Sequence, residues 1–133
     1  MSEPPPRDRW RAKQAHYQEP EVAREYEARR FTSARTRGDA ARFWRAIERA
    51  LGADLAGVQS VLDTPGGTGR FAAFVARGGR SLVLADLSAA MLAEARTSGV
   101  PRVQADALAL PFAADSRLDR FEPLPRFRTR LMA

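Results

Sequence analysis

A glycine-rich turn set between an apolar run and an amphipathic segment constrains this chain more than any other feature. In Val61-Leu62-Asp63-Thr64-Pro65-Gly66-Gly67-Thr68-Gly69-Arg70-Phe71-Ala72 the apolar run ends in a carboxylate, and Phe71, Phe74 and Val75 then share one helical face. The pattern predicts a strand, a tight loop and a helix from Arg70 to Arg77. Glycine tolerates positive φ and lets the backbone come close to a ligand. A helix start adds free N–H groups that favour anionic or hydrogen-bond-accepting partners. A nucleotide-like ligand is the expectation. Because Gly67, Gly69 and Ala72 also satisfy the G-x-G-x-x-G/A spacing of dinucleotide-binding proteins, the loop alone does not choose the ligand.

Three acids sharpen the reading. Asp63 ends the first apolar run, Asp86 ends a second (Ser81-Leu-Val-Leu-Ala) and Asp106 ends a third (Arg102-Val-Gln-Ala). Parallel strands joined by helices bring such ends to one edge of the sheet, where open α/β sheets bind ligands. Each acid alone reads as an ordinary turn residue, but three at matched positions read as a crevice. Carboxylates at the mouth of the loop repel a pyrophosphate and attract an ammonium or a sulfonium, which favours S-adenosyl-L-methionine over NAD.

The motifs Val61-Leu-Asp-x-x-x-Gly-x-Gly-Arg, Leu84-Ala-Asp-Leu-Ser-x-x-Met-Leu-x-x-Ala-Arg96 and Gln104-Ala-Asp-Ala-x-x-Leu-Pro-Phe112 together resemble the Rossmann-like S-adenosylmethionine-dependent methyltransferases. The similarity is to the type-11 group of the ubiquinone and menaquinone biosynthesis enzymes, and it covers roughly Tyr17 to Asp119. It implies a transferase in which Asp63, Gly67 and Gly69 hold the methionine end of the cofactor and Asp86 takes the ribose hydroxyls. Leu87 then lies against the adenine, and Asp106 with the Ala107 backbone reads its amino edge. Pro65 belongs to the same cofactor loop, standing where the family usually carries a glycine. The resemblance also implies that the helix over Glu21 to Phe31 caps the cofactor, with Tyr17 and Tyr26 as lid residues; simple packing of that helix on the domain is the other reading.

The chain has 133 residues, within the size of one domain, and is 44% hydrophobic. It carries no apolar run of membrane-spanning length, no secretion-type start and no cysteine, so a cytoplasmic, metal-free protein is the expectation. The net charge of +6 raises nucleic acid as a partner. The arginines are interspersed with acids, however, and the expected partner is a small-molecule substrate rather than protein or nucleic acid. His16, the one histidine, stands beside a proline-rich, charged start and reads as solvated.

The expected organisation is a disordered tail over 1–16, N-terminal helices over 17–52, a cofactor-binding Rossmann-like half domain over 57–116 and an irregular basic tail over 117–133. The fold class is α/β. Asp39 to Leu51 is the clearest helix, with Ala40, Phe43, Trp44, Ile47 and Leu51 on one face and all its aromatics expected in the core. Strands follow at Val58 to Asp63, Ser81 to Asp86 and Arg102 to Ala105, with Ser88 capping the helix that runs on to Gly99.

The family's fourth strand would lie beside the first, yet Arg117 onward reads as two prolines and dispersed arginines in which no strand of useful length fits. The expectation is a shifted reading frame near Ser116 or a gene remnant, with the first strand left as a sheet edge open to self-association. The half that normally supplies the substrate pocket is not recognisable, and no catalytic residue is assigned. Two alternatives stay open: an NAD-type dinucleotide module, and a non-enzymatic fragment acting through protein association.

Overall fold

The computed structural model of the protein describes residues 7–31, 34–95, 99–113 and 130–132. Three helices come first: α1 (Arg7–Tyr17), α2 (Pro20–Phe31) and α3 (Ala34–Leu51). A 3-10 turn over Gly52–Gly57 leads to β1 (Ser60–Asp63), followed by α4 (Ala72–Arg77), β2 (Ser81–Asp86), α5 (Ala89–Glu94) and β3 (Arg102–Gln104); β4 (Arg130–Met132) completes the order. β1, β2 and β3 run parallel, and β4 pairs antiparallel with β3. This is a mixed α/β arrangement, an open parallel sheet flanked by helices, as a Rossmann-like half domain requires.

β2 is the reason the sheet forms. Its residues Leu82, Val83, Leu84 and Ala85 are all buried, and side chains alternate between faces along a strand. Leu82 and Leu84 therefore join Trp44, Ala72, Val75, Leu92 and Ala95 under the helices, while Val83 joins Val103 and Ala105 on the other face. A parallel strand buried on both faces reads as an unbroken apolar run, which is how Ser81 to Asp86 stood out. The second face is closed by Leu110, Pro111 and Phe112, with Pro111 fully buried.

The structure corrects several expectations. The tail foreseen over 1–16 is helical from Arg7 onward. Its Arg, Ala, Lys and Gln content favours a helix, and its end is held by the core domain: the Ser88 hydroxyl donates to the Tyr17 carbonyl at 2.5 Å and the Gln18 amide to the Leu87 carbonyl at 2.8 Å. α3 begins at Ala34 rather than Asp39, so Gly38 and Asp39 lie inside it, and Asp39 pairs with Arg42. Of its expected apolar face, Ala40 and Trp44 are buried and Ile47 half-buried, but Phe43 and Leu51 are 56% and 42% exposed. The buried stripe is the narrow i, i+4, i+7 seam. Phe43 falls at its margin, stacked on Phe71 with ring centroids 5.4 Å apart.

Further along, the 3-10 turn occupies the chain before Ser60, so β1 is shorter than foreseen. The helix after Ser88 ends at Glu94, well before Gly99. Most of the basic tail over 117–133 lies outside the described residues, but Arg130–Met132 forms a strand where none was expected, its backbone completing the free edge of β3. β1 ends the strand order among the described residues, in line with the expected open edge.

Trp44 carries the seam between α3 and α4, stacking on Phe74 at 6.0 Å while its indole N–H donates to Glu48. Trp44→Ala is expected to cost about 3–5 kcal/mol, against about 1 kcal/mol for the exposed Phe43→Ala; urea unfolding of the two variants checks the contrast.

Candidate functional site

The glycine loop is folded back onto the end of β2. The Gly66 N–H donates to the Ala85 carbonyl at 2.8 Å, and a Cβ on Gly66 would stand 2.8 Å from the Asp63 carbonyl oxygen and 3.1 Å from Leu84. Only glycine fits there. Gly67 and Gly69 adopt φ of +52° and +80°, the left-handed region that glycine enters without strain. The Thr64–Pro65 peptide between β1 and the loop is cis.

A helix starting at Arg70 was expected to point free N–H groups into the same space, and here the structure differs. The Gly67 N–H donates to Asp86 Oδ2 at 2.9 Å, and the Gly69 N–H to the Gly66 carbonyl at 2.9 Å. α4 begins at Ala72 rather than Arg70, and the Ala72 N–H is taken by the Gly69 carbonyl at 3.1 Å. A turn from Gly69 to Ala72 therefore stands between the loop and α4.

Asp86 is the hub of the crevice. Its Oδ2 accepts from Gly67 and its Oδ1 from the Ser88 N–H at 2.8 Å, joining the loop after β1 to the loop after β2. Each carboxylate oxygen keeps a further lone pair for a ligand. Ser88 in turn caps α5, its hydroxyl accepting from the Met91 N–H at 3.1 Å as the sequence led us to expect. Asp63 stands at the neighbouring strand end. Burial, and to a smaller degree the Asp86 carboxylate, push its carboxyl up to about 6.

Two cavities meet over this loop, sharing Tyr26, Pro65 and Gly67. The larger, about 330 Å³, is lined by Gln14, Tyr17 and Gln18 on the N-terminal side and by Asp86, Leu87, Ser88 and Met91 on the sheet side. The smaller, about 180 Å³, is bounded by Asp63, Gly66, Thr68, Arg70 and Phe71. Tyr17 and Tyr26 meet edge to face across the mouth, with centroids 6.3 Å apart. Thr68 is buried, and its hydroxyl has no hydrogen-bond partner among the described residues.

Of the residues singled out in the sequence, Asp63, Pro65, Gly67, Asp86 and Leu87 are thus brought together. Gly69 shapes the loop without lining either cavity. Asp106 and Ala107 stand exposed in the turn after β3, outside both cavities, with Asp106 Oδ1 accepting from the Leu108 N–H at 2.9 Å. Gln14 and Gln18 escaped notice, since they lie in or next to a stretch read as a tail. Gly66 and Thr68 were visible only as spacers within the glycine motif.

Residues 61–120 match the family model of a methyltransferase domain. The match runs from β1 through β3 and supports a methyltransferase. No curated protein and no solved structure matches the chain.

Two outcomes follow from the site's geometry. Because the folded-state pKa of Asp63 is raised from 3.8 to about 6, the folded protein binds more protons than the unfolded chain between those values, and stability falls as pH rises through that window. Asp63→Asn should flatten this part of a plot of denaturation midpoint against pH. Gly66→Ala, forced against backbone, is expected to lose about 1–3 kcal/mol, read from the same denaturation curves.

Proposed function

We propose that this chain binds S-adenosylmethionine in the crevice above β1 and β2, as the cofactor-holding part of a methyltransferase. One observation carries the choice of ligand. The N–H groups of Gly66, Gly67 and Gly69 already have acceptors within the protein, so the loop offers the ligand two carboxylates instead of a row of donors. A dinucleotide pyrophosphate placed there would meet the Asp63 and Asp86 carboxylates without the Gly66, Gly67 and Gly69 N–H groups to offset them. A sulfonium and an amino group meet favourable charge.

In this reading Asp63 faces the amino group of the methionine end and Asp86 uses its remaining lone pairs for the ribose hydroxyls. Leu87 and Met91 supply apolar surface for the adenine, and Tyr17 and Tyr26 close the mouth. Residues Asp106 and Ala107 are expected to approach the adenine edge only after the turn that holds them moves inward. The bound cofactor supplies an electrophilic methyl group. The chain's own contribution is to hold that group in place and exclude water, since transfer to a nucleophile is accelerated mainly by alignment.

Thermal unfolding with S-adenosylhomocysteine, and with NAD as control, tests the reading. Ligand at 100 times its dissociation constant adds about 2.7 kcal/mol, a rise of several degrees for a domain of this size. A shift with NAD alone, or with neither ligand, overturns the reading. Affinity for S-adenosylhomocysteine, whose amino group is cationic near neutrality, should also rise as pH increases through about 6, where Asp63 ionises. Titration calorimetry on Asp63→Asn should find weaker binding with that pH dependence lost.

A further inference from the structure

We propose that the groove between α3 and α4 binds the phosphate backbone of a nucleic acid through Arg45, Arg77 and Arg80. The groove, about 370 Å³, is lined by these three arginines together with Ala41, Trp44, Glu48, Phe74 and Gly78. It lies away from the crevice. In a parallel βαβ unit the helix returns the chain to the N-terminal edge of the strands, and Arg77, Gly78 and Arg80 occupy that return between α4 and β2, whereas Asp63 and Asp86 stand at the opposite edge.

The three cations outnumber the groove's one acid and form no ion pair among the described residues. Among the described residues, ion pairs form between Arg29 and Glu25 and between Arg42 and Asp39, and neither involves the groove. Its single acid, Glu48, accepts the Trp44 indole N–H at 2.8 Å. Two of the guanidinium groups, those of Arg77 and Arg80, are also held in place. Arg80 donates to the Leu55 carbonyl at 3.1 Å and packs over Gly78 so closely that a Cβ there would fall 1.9 Å from its Nη1. The φ of Gly78 is −78°, so its backbone does not demand glycine; the space for Arg80 does. Arg77 lies over the Phe74 ring at 5.3 Å, and the Arg80 Nε is buried with no partner. Pre-positioned planar guanidinium groups suit phosphate oxygens.

The occupant follows from charge and burial. A chain of net charge +6 steers polyanions toward itself, and Arg49, one turn beyond Arg45 on α3, continues the basic row. Trp44 is buried, so its ring is not a platform for stacking bases. Contact is therefore with the backbone, and binding is independent of base sequence. Although the interspersed arginines of the sequence argued against such a partner, the α3–α4 packing collects residues that are 32 to 35 positions apart.

The test is fluorescence anisotropy of the full chain with a labelled 15-nucleotide poly-dT probe across a salt series. Three phosphate contacts predict a slope of log K against log salt of about −2. Arg45→Gln with Arg77→Gln should weaken binding at least about tenfold at 50 mM salt and bring the slope toward −0.7. A control pair, Arg11→Gln with Arg24→Gln, removes the same charge from exposed positions on α1 and α2 and should leave the slope unchanged. Arg45→Gln alone, at an exposed position, gives an intermediate slope should the pair disturb folding. Equal losses from both pairs would show attraction by net charge alone and overturn the proposal, as would the absence of binding at low salt. The outcome is independent of the crevice ligand, which S-adenosylhomocysteine titration of the same variants reads separately.

Discussion

The site depends on how the loop after β1 is fastened to the end of β2. Gly66 donates to the Ala85 carbonyl and Gly67 to the Asp86 carboxylate, so the loop is an extension of the sheet rather than a free flap. Because Asp86 also accepts from Ser88, one carboxylate fixes the loops after two adjacent strands. Ser88 then caps α5 and reaches the Tyr17 carbonyl, which extends the same chain of bonds to the N-terminal helices. The crevice, its floor and its cover are thus one connected set of hydrogen bonds centred on Asp86.

That arrangement has an electrostatic consequence. Burial makes ionising the Asp63 carboxyl costly, and the Asp86 carboxylate at the neighbouring strand end adds a smaller repulsion. The raised pKa of Asp63 is how the crevice accommodates this. A cationic ligand would reverse the effect by stabilising the ionised form. The N–H groups of Gly66, Gly67 and Gly69, already occupied, add no competing attraction for anions. In the proposed reading, charge is what separates two ligand classes that the glycine spacing leaves together.

The opposite edge of the sheet has a different character. There the chain concentrates arginines, and the aromatic seam of Trp44 and Phe74 supports them from beneath. A negative crevice at one edge and a positive groove at the other coexist because the buried β2 and its flanking helices stand between them.

Much of this was legible in the residues. The apolar run of β2, the glycine loop and the acids Asp63 and Asp86 at strand ends are local patterns, and local patterns carry the physics of a parallel strand, a tight turn and a strand terminus. The helical tail was misread because α1 is polar all round and draws its stability from Tyr17 and Gln18 meeting the Leu87–Ser88 turn, a contact between positions about 70 residues apart. The exposure of Phe43 was hidden for a related reason, since helical spacing shows which residues share a face but not how wide a stripe the partner covers. By itself, then, the sequence determined the βαβ order, the loop and the sign of charge around it, since each follows from residues adjacent in the chain. Tertiary structure alone decided that the Gly66 and Gly67 amides are spoken for by the end of β2, that Asp106 stands apart from Asp63 and Asp86, and that distant arginines converge, since each depends on which surfaces are pressed together.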